Sequence, residues 1–181
     1  MIMDPWPHMV VDDYFEQSYF DNMFYELDNY DYSDVFVESK KRAMFWDDRL
    51  VDEFPMASLC SKTNEIDDDL CRVLNCDREY DVLRNNLTMS YPNIRTGKIH
   101  TDKIEKVVSI VVYVYPETSY GTLIYNEKKE LVTEVQWKPN RALIFCPRQK
   151  VTFHAANIDP DTIRVIMKRE ALDSRVWRRK N

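Results

Sequence analysis

The sequence predicts a mainly β fold, a sandwich or barrel, with a layer of helices contributed by its N-terminal half. Two observations carry this. Near residue 87 the hydrophobic spacing changes from roughly the 3.6-residue period of a helix to the 2-residue period of a strand. Beyond that point come seven short runs, "LTMSYPNI", "KVVSIVVYVYP", "GTLIYNEK", "LVTEVQWKP", "RALIFCP", "VTFHAANI" and "RVIMKREAL". They are rich in Val, Ile, Thr, Tyr and Phe and are separated by turn residues, as strands of a sandwich or barrel are.

Residues 11–29 space Tyr14, Phe15, Tyr19, Met23, Phe24 and Leu27 at helical intervals with acids between them, which predicts an amphipathic helix. The segment "RAMFWDDRLVDEFP" reads as a loop with room for a short strand. A second helix is expected over residues 64–87, where Asn64 or the acids after it can cap the first turn and Ile66, Leu70, Val73 and Leu74 form a stripe. One domain, 1–181, is expected: 1–86 mostly helical support, 87–172 the β core, and 173–181 a basic tail with Arg175, Arg178, Arg179 and Lys180 around Trp177.

Composition narrows the function. Hydrophobic content of 44% with 13% aromatics belongs to a folded globule. A net charge of −6 repels a phosphate backbone, so nucleic acid is a disfavoured partner. Four cysteines, Cys60, Cys71, Cys76 and Cys146, lack CxxC spacing and suggest reduced thiols in a cytoplasmic protein. The N-terminus lacks the pattern of a secretion signal, and no window approaches the length of a spanning apolar helix, so no membrane partner is expected. Only two glycines occur, Gly97 and Gly121, where an average chain of this length would have roughly 13. Each is expected where backbone geometry or close approach requires it.

In "RTGKIHTDK", His100 and Asp102 stand two apart in what reads as a strand, so both side chains would share a face. Such a pair is a metal site or a solvated polar edge. His154, in a later strand, meets them if the sheet closes as a double-stranded barrel, and two imidazoles with one carboxylate make the facial triad that holds Fe(II) with open positions. Arg164, ten residues after His154, opens a strand with no acid in "RVIM" to pair it. An unpaired buried guanidinium costs several kcal/mol, so a bound carboxylate is a candidate partner. On "KVVSIVVYVYP", one face is aliphatic, while Ser109, Tyr113 and Tyr115 make the other a candidate polar pocket wall or barrel rim.

Together, Tyr91, Gly97 and "HTD", with "VVSIVVYVYP", "GTLIY", "WKPNRALIF" and "FHAANIDPDTIR" in that order, resemble the core of Fe(II)- and 2-oxoglutarate-dependent oxygenases, particularly the prolyl 4-hydroxylase-like branch. The resemblance spans residues 88–168 and, more faintly, the opening "PWPHMVVDDYF". It implies a double-stranded β-helix, the jelly-roll or cupin-like core, supported by helices. It implies that His100, Asp102 and His154 bind iron, that Arg164 pairs with the distal carboxylate of 2-oxoglutarate, and that Tyr113 and Tyr91 also reach this cosubstrate. Ile166 departs from the pattern, since many relatives carry serine two residues after the arginine.

The implied chemistry consumes O2 and 2-oxoglutarate, releases succinate and CO2 and hydroxylates a C–H bond, with ascorbate as an accessory reductant. The implied substrate is a prolyl residue of a peptide or protein, with a free amino acid, small metabolite or nucleobase as alternatives. A cupin-type enzyme usually shows a His-x-His pair, which is missing here. A silent jelly-roll module that binds a peptide or sugar has no need of the triad or of Arg164. Residues 39–58 are read as a lid, with Trp46, Arg49 and Phe54 as substrate contacts.

Overall fold

The computed structural model describes residues 1–30, 44–45, 74, 76, 78–90, 97–158 and 161–178. Its elements are β1 (His8–Val11), α1 (Gln17–Asp28), β2 (Met44–Phe45), β3 (Val82–Ser90), β4 (Lys106–Tyr115), β5 (Thr122–Tyr125), β6 (Leu131–Val135), β7 (Ala142–Phe145), β8 (His154–Ala156), β9 (Arg164–Leu172) and α2 (Ser174–Arg178). Six strands form a large antiparallel sheet in the order β1-β7-β4-β9-β3-β2, and three form a smaller one, β6-β5-β8. Strands dominate, in the jelly-roll arrangement the sequence implied.

The large sheet is buried on both faces, which is why β4 reads as an almost continuous apolar run. One face packs against α1 through Phe20, Met23 and Leu27, spaced to share a helical stripe. The other face meets the small sheet: Tyr113, Leu143, Phe145 and Ile166 from the large sheet pack with Ile124 and Val135, and Trp6 seals the edge. A bulge between Lys106 and Val108 puts Val107 on the helix side with Val108, while Ser109, next along the strand, turns toward the small sheet.

Two predicted helices need correction. The first starts at Gln17, not near residue 11, because Val10 and Val11 pair with Leu143 and Ala142. Asp13 then takes a positive φ of 52°, and the Asn140 side chain binds both the N–H and the carbonyl of Phe15, turning the chain before the helix begins. The second helix cannot run to residue 87. Val82 to Ser90 form β3, in unbroken register with β9, and inter-strand pairing overrides the local helical stripe. Residues 64–73 lie outside the described residues, as do the lid segment apart from Met44 and Phe45, its contacts Trp46, Arg49 and Phe54, and Cys60, Cys71, Arg179 and Lys180. Cys76 and Cys146 are not joined in a disulfide, and the Cys76 thiol donates to the Val107 carbonyl at 3.5 Å.

The two glycines differ. A Cβ at Gly121 would sit 1.7 Å from the Val135 carbonyl oxygen, so β5 and β6 can meet there only without a side chain. A Cβ at Gly97 would make ordinary contacts at 3.4–3.7 Å with Ala156, and neither glycine has positive φ. Gly121→Ala is therefore expected to cost about 3 kcal/mol or more, against less than about 1 kcal/mol for Gly97→Ala. Urea unfolding of the two variants measures the contrast; equal losses would contradict it.

Candidate metal centre

The site begins with a backbone pairing. His100 donates its N–H to the His154 carbonyl and receives that residue's N–H in return, each at 3.0 Å, and Gly97 N–H reaches the Ala156 carbonyl at 2.8 Å. The segment 97–100 thus lies along β8 at the edge of the small sheet. It is an isolated bridge, not the strand expected through "HTD", and Thr101 to Lys103 leave it as irregular chain. Gln149 donates its side-chain N–H to the Asp102 carbonyl and fixes that departure.

The pairing places the two imidazoles with ring centroids 4.5 Å apart. Each ring's Nδ1 lies beside a carbonyl two residues earlier, Lys98 at 2.9 Å for His100 and Thr152 at 3.0 Å for His154. A carbonyl only accepts, so Nδ1 carries the proton and both Nε2 lone pairs are free for a cation. Burial, outweighing the attraction of Asp102, lowers the His154 pKa to about 4, so this ring is neutral at physiological pH.

Asp102 completes the group by another route. Its Oδ1 accepts from Lys106 Nζ at 2.7 Å and its Oδ2 from Ser109 Oγ at 2.8 Å. Burial alone would raise its pKa, but the charge of Lys106, reinforced by His154 and the two hydrogen bonds, holds it below the usual carboxylate range. Among the described residues, His100, Asp102 and His154 form the group able to hold a metal, with one donor atom each and all three within 4.8 Å of one another. Donors about 2.0–2.2 Å from a shared ion and at right angles to one another, as in a facial triad, lie about 3 Å apart, so the three side chains must draw together by up to about 2 Å to ligate one ion.

The same chamber contains Arg164, the first residue of β9. The residue is 2% exposed, and among the described residues its guanidinium Nε and Nη2 have no hydrogen-bond partner. It lies over the rings of Trp137 and Tyr113, at 5.0 and 5.8 Å from their centroids. Burial lowers its pKa to about 10, so it remains a cation at neutral pH. The Tyr113 phenol donates to Thr122 Oγ1 at 2.8 Å or to the Val135 carbonyl at 3.2 Å, and Thr122 rather than Tyr113 lines the chamber. Ile166 lines it as well, and Tyr91 lies outside the described residues.

The described residues leave an inner chamber of about 80 Å³ holding the triad and Arg164, and a larger outer cavity of about 750 Å³. His100, Asp102, Lys106, Lys168 and Glu170 line both and therefore form the throat between them. Sequence reasoning missed Lys106, Trp137, Lys168 and Glu170. A signal existed for two of these: Arg164, Ile166, Lys168 and Glu170 alternate along β9 and so share one face.

His154 makes apo stability depend on pH. Its folded pKa is near 4 and its unfolded value near 6.5, so between them the unfolded chain holds more protons, and stability falls as pH drops through that window. The metal-free protein should lose up to about 1.4 kcal/mol per pH unit between pH 6.5 and 5. The His154→Gln variant should lose less by that amount, as read from urea midpoints; parallel profiles would contradict the burial of a neutral imidazole.

No protein-family model matches the chain, and no curated protein matches it by sequence. Solved structures do. A prolyl hydroxylase from Trichoplax adhaerens, in complex with a hypoxia-inducible-factor peptide fragment, aligns with a TM-score of 0.65 at 12% identity, over 93% of this chain and 84% of that one. A prolyl 4-hydroxylase from Phytophthora capsici gives 0.64 at 16% identity over 93% of this chain and 59% of that one. A viral collagen prolyl hydroxylase from Paramecium bursaria Chlorella virus 1, in a 2-oxoglutarate complex, gives 0.58 at 9% identity over 96% and 99%. The chain thus has the jelly-roll fold of the prolyl 4-hydroxylase-like structures.

Proposed function

We propose that this protein is an Fe(II)- and 2-oxoglutarate-dependent dioxygenase that hydroxylates a prolyl residue of a peptide or protein. The observation that carries the reading is the buried Arg164 guanidinium, with two nitrogens lacking a partner among the described residues, in the same chamber as a His–Asp–His group. A guanidinium so placed matches a carboxylate in geometry and charge, and the three donors suit a divalent iron while leaving positions open. The fold likeness to prolyl hydroxylases, one of them with a peptide and another with 2-oxoglutarate, supports the substrate and the cosubstrate.

Iron bound with the oxo acid and O2 supplies an oxidative decarboxylation, in which one oxygen atom enters succinate as CO2 leaves and the other becomes the product hydroxyl. The chain's own residues orient and shield. Backbone carbonyls fix both imidazoles with Nε2 inward, and Lys106 and Ser109 hold the Asp102 carboxylate toward them. Arg164 takes the distal carboxylate of the oxo acid, with the Thr122 hydroxyl beside it and Tyr113 behind that hydroxyl. Leu143, Phe145 and Ile166 exclude water from the chamber wall. Ascorbate would act only as a reductant from solution.

With ferrous iron under air, and ascorbate present, the wild-type protein is expected to convert 2-oxoglutarate to succinate. His100→Ala and Asp102→Ala should each reduce this to background. Arg164→Met should raise the KM for 2-oxoglutarate by the cost of an unpaired buried carboxylate, about 2–5 kcal/mol or roughly 30-fold and upward. Succinate release by mass spectrometry measures all three; an Arg164 variant with unchanged KM would overturn the assignment.

A further inference from the structure

The throat between the two cavities is charged, and its charges do not balance. Glu170 is buried at 3% exposure, with Oε1 on Lys106 and Oε2 accepting from Arg84 Nε at 2.9 Å. Asp102 is held by Lys106 and Ser109. At the outer rim, Asp173 is bound by Arg175 at 2.9 Å, and Glu105 lies 3.9 Å from Lys103. Each of these carboxylates already has a cation. Lys168 has none: it forms no ion pair or hydrogen bond among the described residues, although its side chain lines both cavities. Burial, then the nearby charge of Lys106, pulls its pKa down despite Glu170 and Asp102, as expected for a cation lacking its own counter-ion.

Charge counting indicates what could supply that counter-ion. On the oxygenase reading, a divalent metal and a doubly charged oxo acid cancel. Asp102 and Glu170 then offset Lys106 and Arg84, the cations bound to them, and the charges of Arg164 and Lys168 remain. Arg164 lines only the inner chamber, whereas Lys168 lines both cavities, as do His100 and Asp102 of the metal group. An outer cavity of about 750 Å³ is large enough for a segment of peptide, the inner one only for a small molecule.

We infer that Lys168 selects the substrate, by pairing with a carboxylate that the substrate carries beside its reacting residue, so that the preferred substrate is an acidic peptide. This rests on the oxygenase reading for what fills the inner chamber. It narrows the substrate class beyond what the fold conveys, because the groups concerned are this chain's own. Lys106 cannot perform the task, since its ammonium is already shared between Asp102 and Glu170.

The test is a selection from proline-centred peptides with randomised flanks on immobilised protein, loaded with Mn(II) and 2-oxoglutarate without oxygen. Retained peptides are sequenced by mass spectrometry for the wild type, Lys168→Met and Lys168→Glu. The wild type should enrich Asp or Glu over Asn or Gln at one flanking position by at least about tenfold, the effect of one hydrogen bond to a charged group. Lys168→Met should lose that preference, and Lys168→Glu should enrich Lys or Arg there instead. Retention of no peptide, no acidic enrichment in the wild type, or the same enrichment in Lys168→Met overturns the inference. Calorimetry with Mn(II) should give Lys168→Met and wild type the same 2-oxoglutarate affinity within about threefold. If that affinity drops while peptide selection is unchanged, Lys168 serves the oxo acid and the inference is again overturned. Failure of the wild type to bind 2-oxoglutarate at all counts against the oxygenase reading instead, and the same selection without cosubstrate still reports on Lys168.

Discussion

The site depends on one interaction, the reciprocal backbone pairing of His100 with His154. It is a single bridge, yet it decides where both imidazoles stand and, through their neighbouring carbonyls, which nitrogen each presents. The third donor arrives from the other layer, because Asp102 is fastened to Lys106 and Ser109 on β4 of the large sheet. The three donors therefore straddle the gap between the sheets, and the packing of Tyr113, Phe145 and Ile166 against Ile124 and Val135 sets how far apart they stand. A change in that layer spacing would move Asp102 relative to the histidines without touching any of the three.

The same two-layer geometry explains how a buried strand can hold so many charges. Along β9, Val165, Met167 and Ala171 pack into the core under α1, while Arg164, Ile166, Lys168 and Glu170 face the chamber. Even Arg169, on the core side, is buried and satisfied, with hydrogen bonds to Asn85 and Tyr14. Isolated charges at such depth would unfold a strand. Here they are tolerated where a carboxylate, an amide oxygen or a hydroxyl lies within reach, as for Glu170's partners and Arg169, and among the described residues Arg164 and Lys168 keep open groups toward the chamber.

Much of this was legible in the sequence, and the failures have identifiable causes. The strands from Lys106 onward were readable because their alternation and turn residues agree with the fold at every level. His100, Asp102, His154 and Arg164 could be singled out because histidine is rare in this chain and an arginine without a neighbouring acid is conspicuous in an apolar strand. The helix over residues 64–87 failed at its end because Val82, Leu83 and Leu87 suit either period, and only the partner strand decides. The throat residues escaped because a lysine beginning a strand ordinarily faces water. Nothing local reveals that Lys106 points inward between two carboxylates that lie 4 residues before it and 64 after it.

Glu170 has the least obvious place in this arrangement and bears most directly on how the metal group is held. Lys106 neutralises Asp102 from within hydrogen-bond distance, so an incoming dication would meet an ammonium beside its own ligand. A carboxylate oxygen keeps a second lone pair after accepting one hydrogen bond, so geometry alone lets Asp102 serve Lys106, Ser109 and a metal together. Electrostatics would oppose this if Lys106 carried its charge uncompensated in a buried site. Glu170 supplies the compensation, and Arg84, half exposed to solvent, offsets Glu170 in turn. The positive charge is thereby passed outward from the metal ligand to the surface through alternating partners. Asp102 stays ionised and oriented while the charge of Lys106 beside it is compensated.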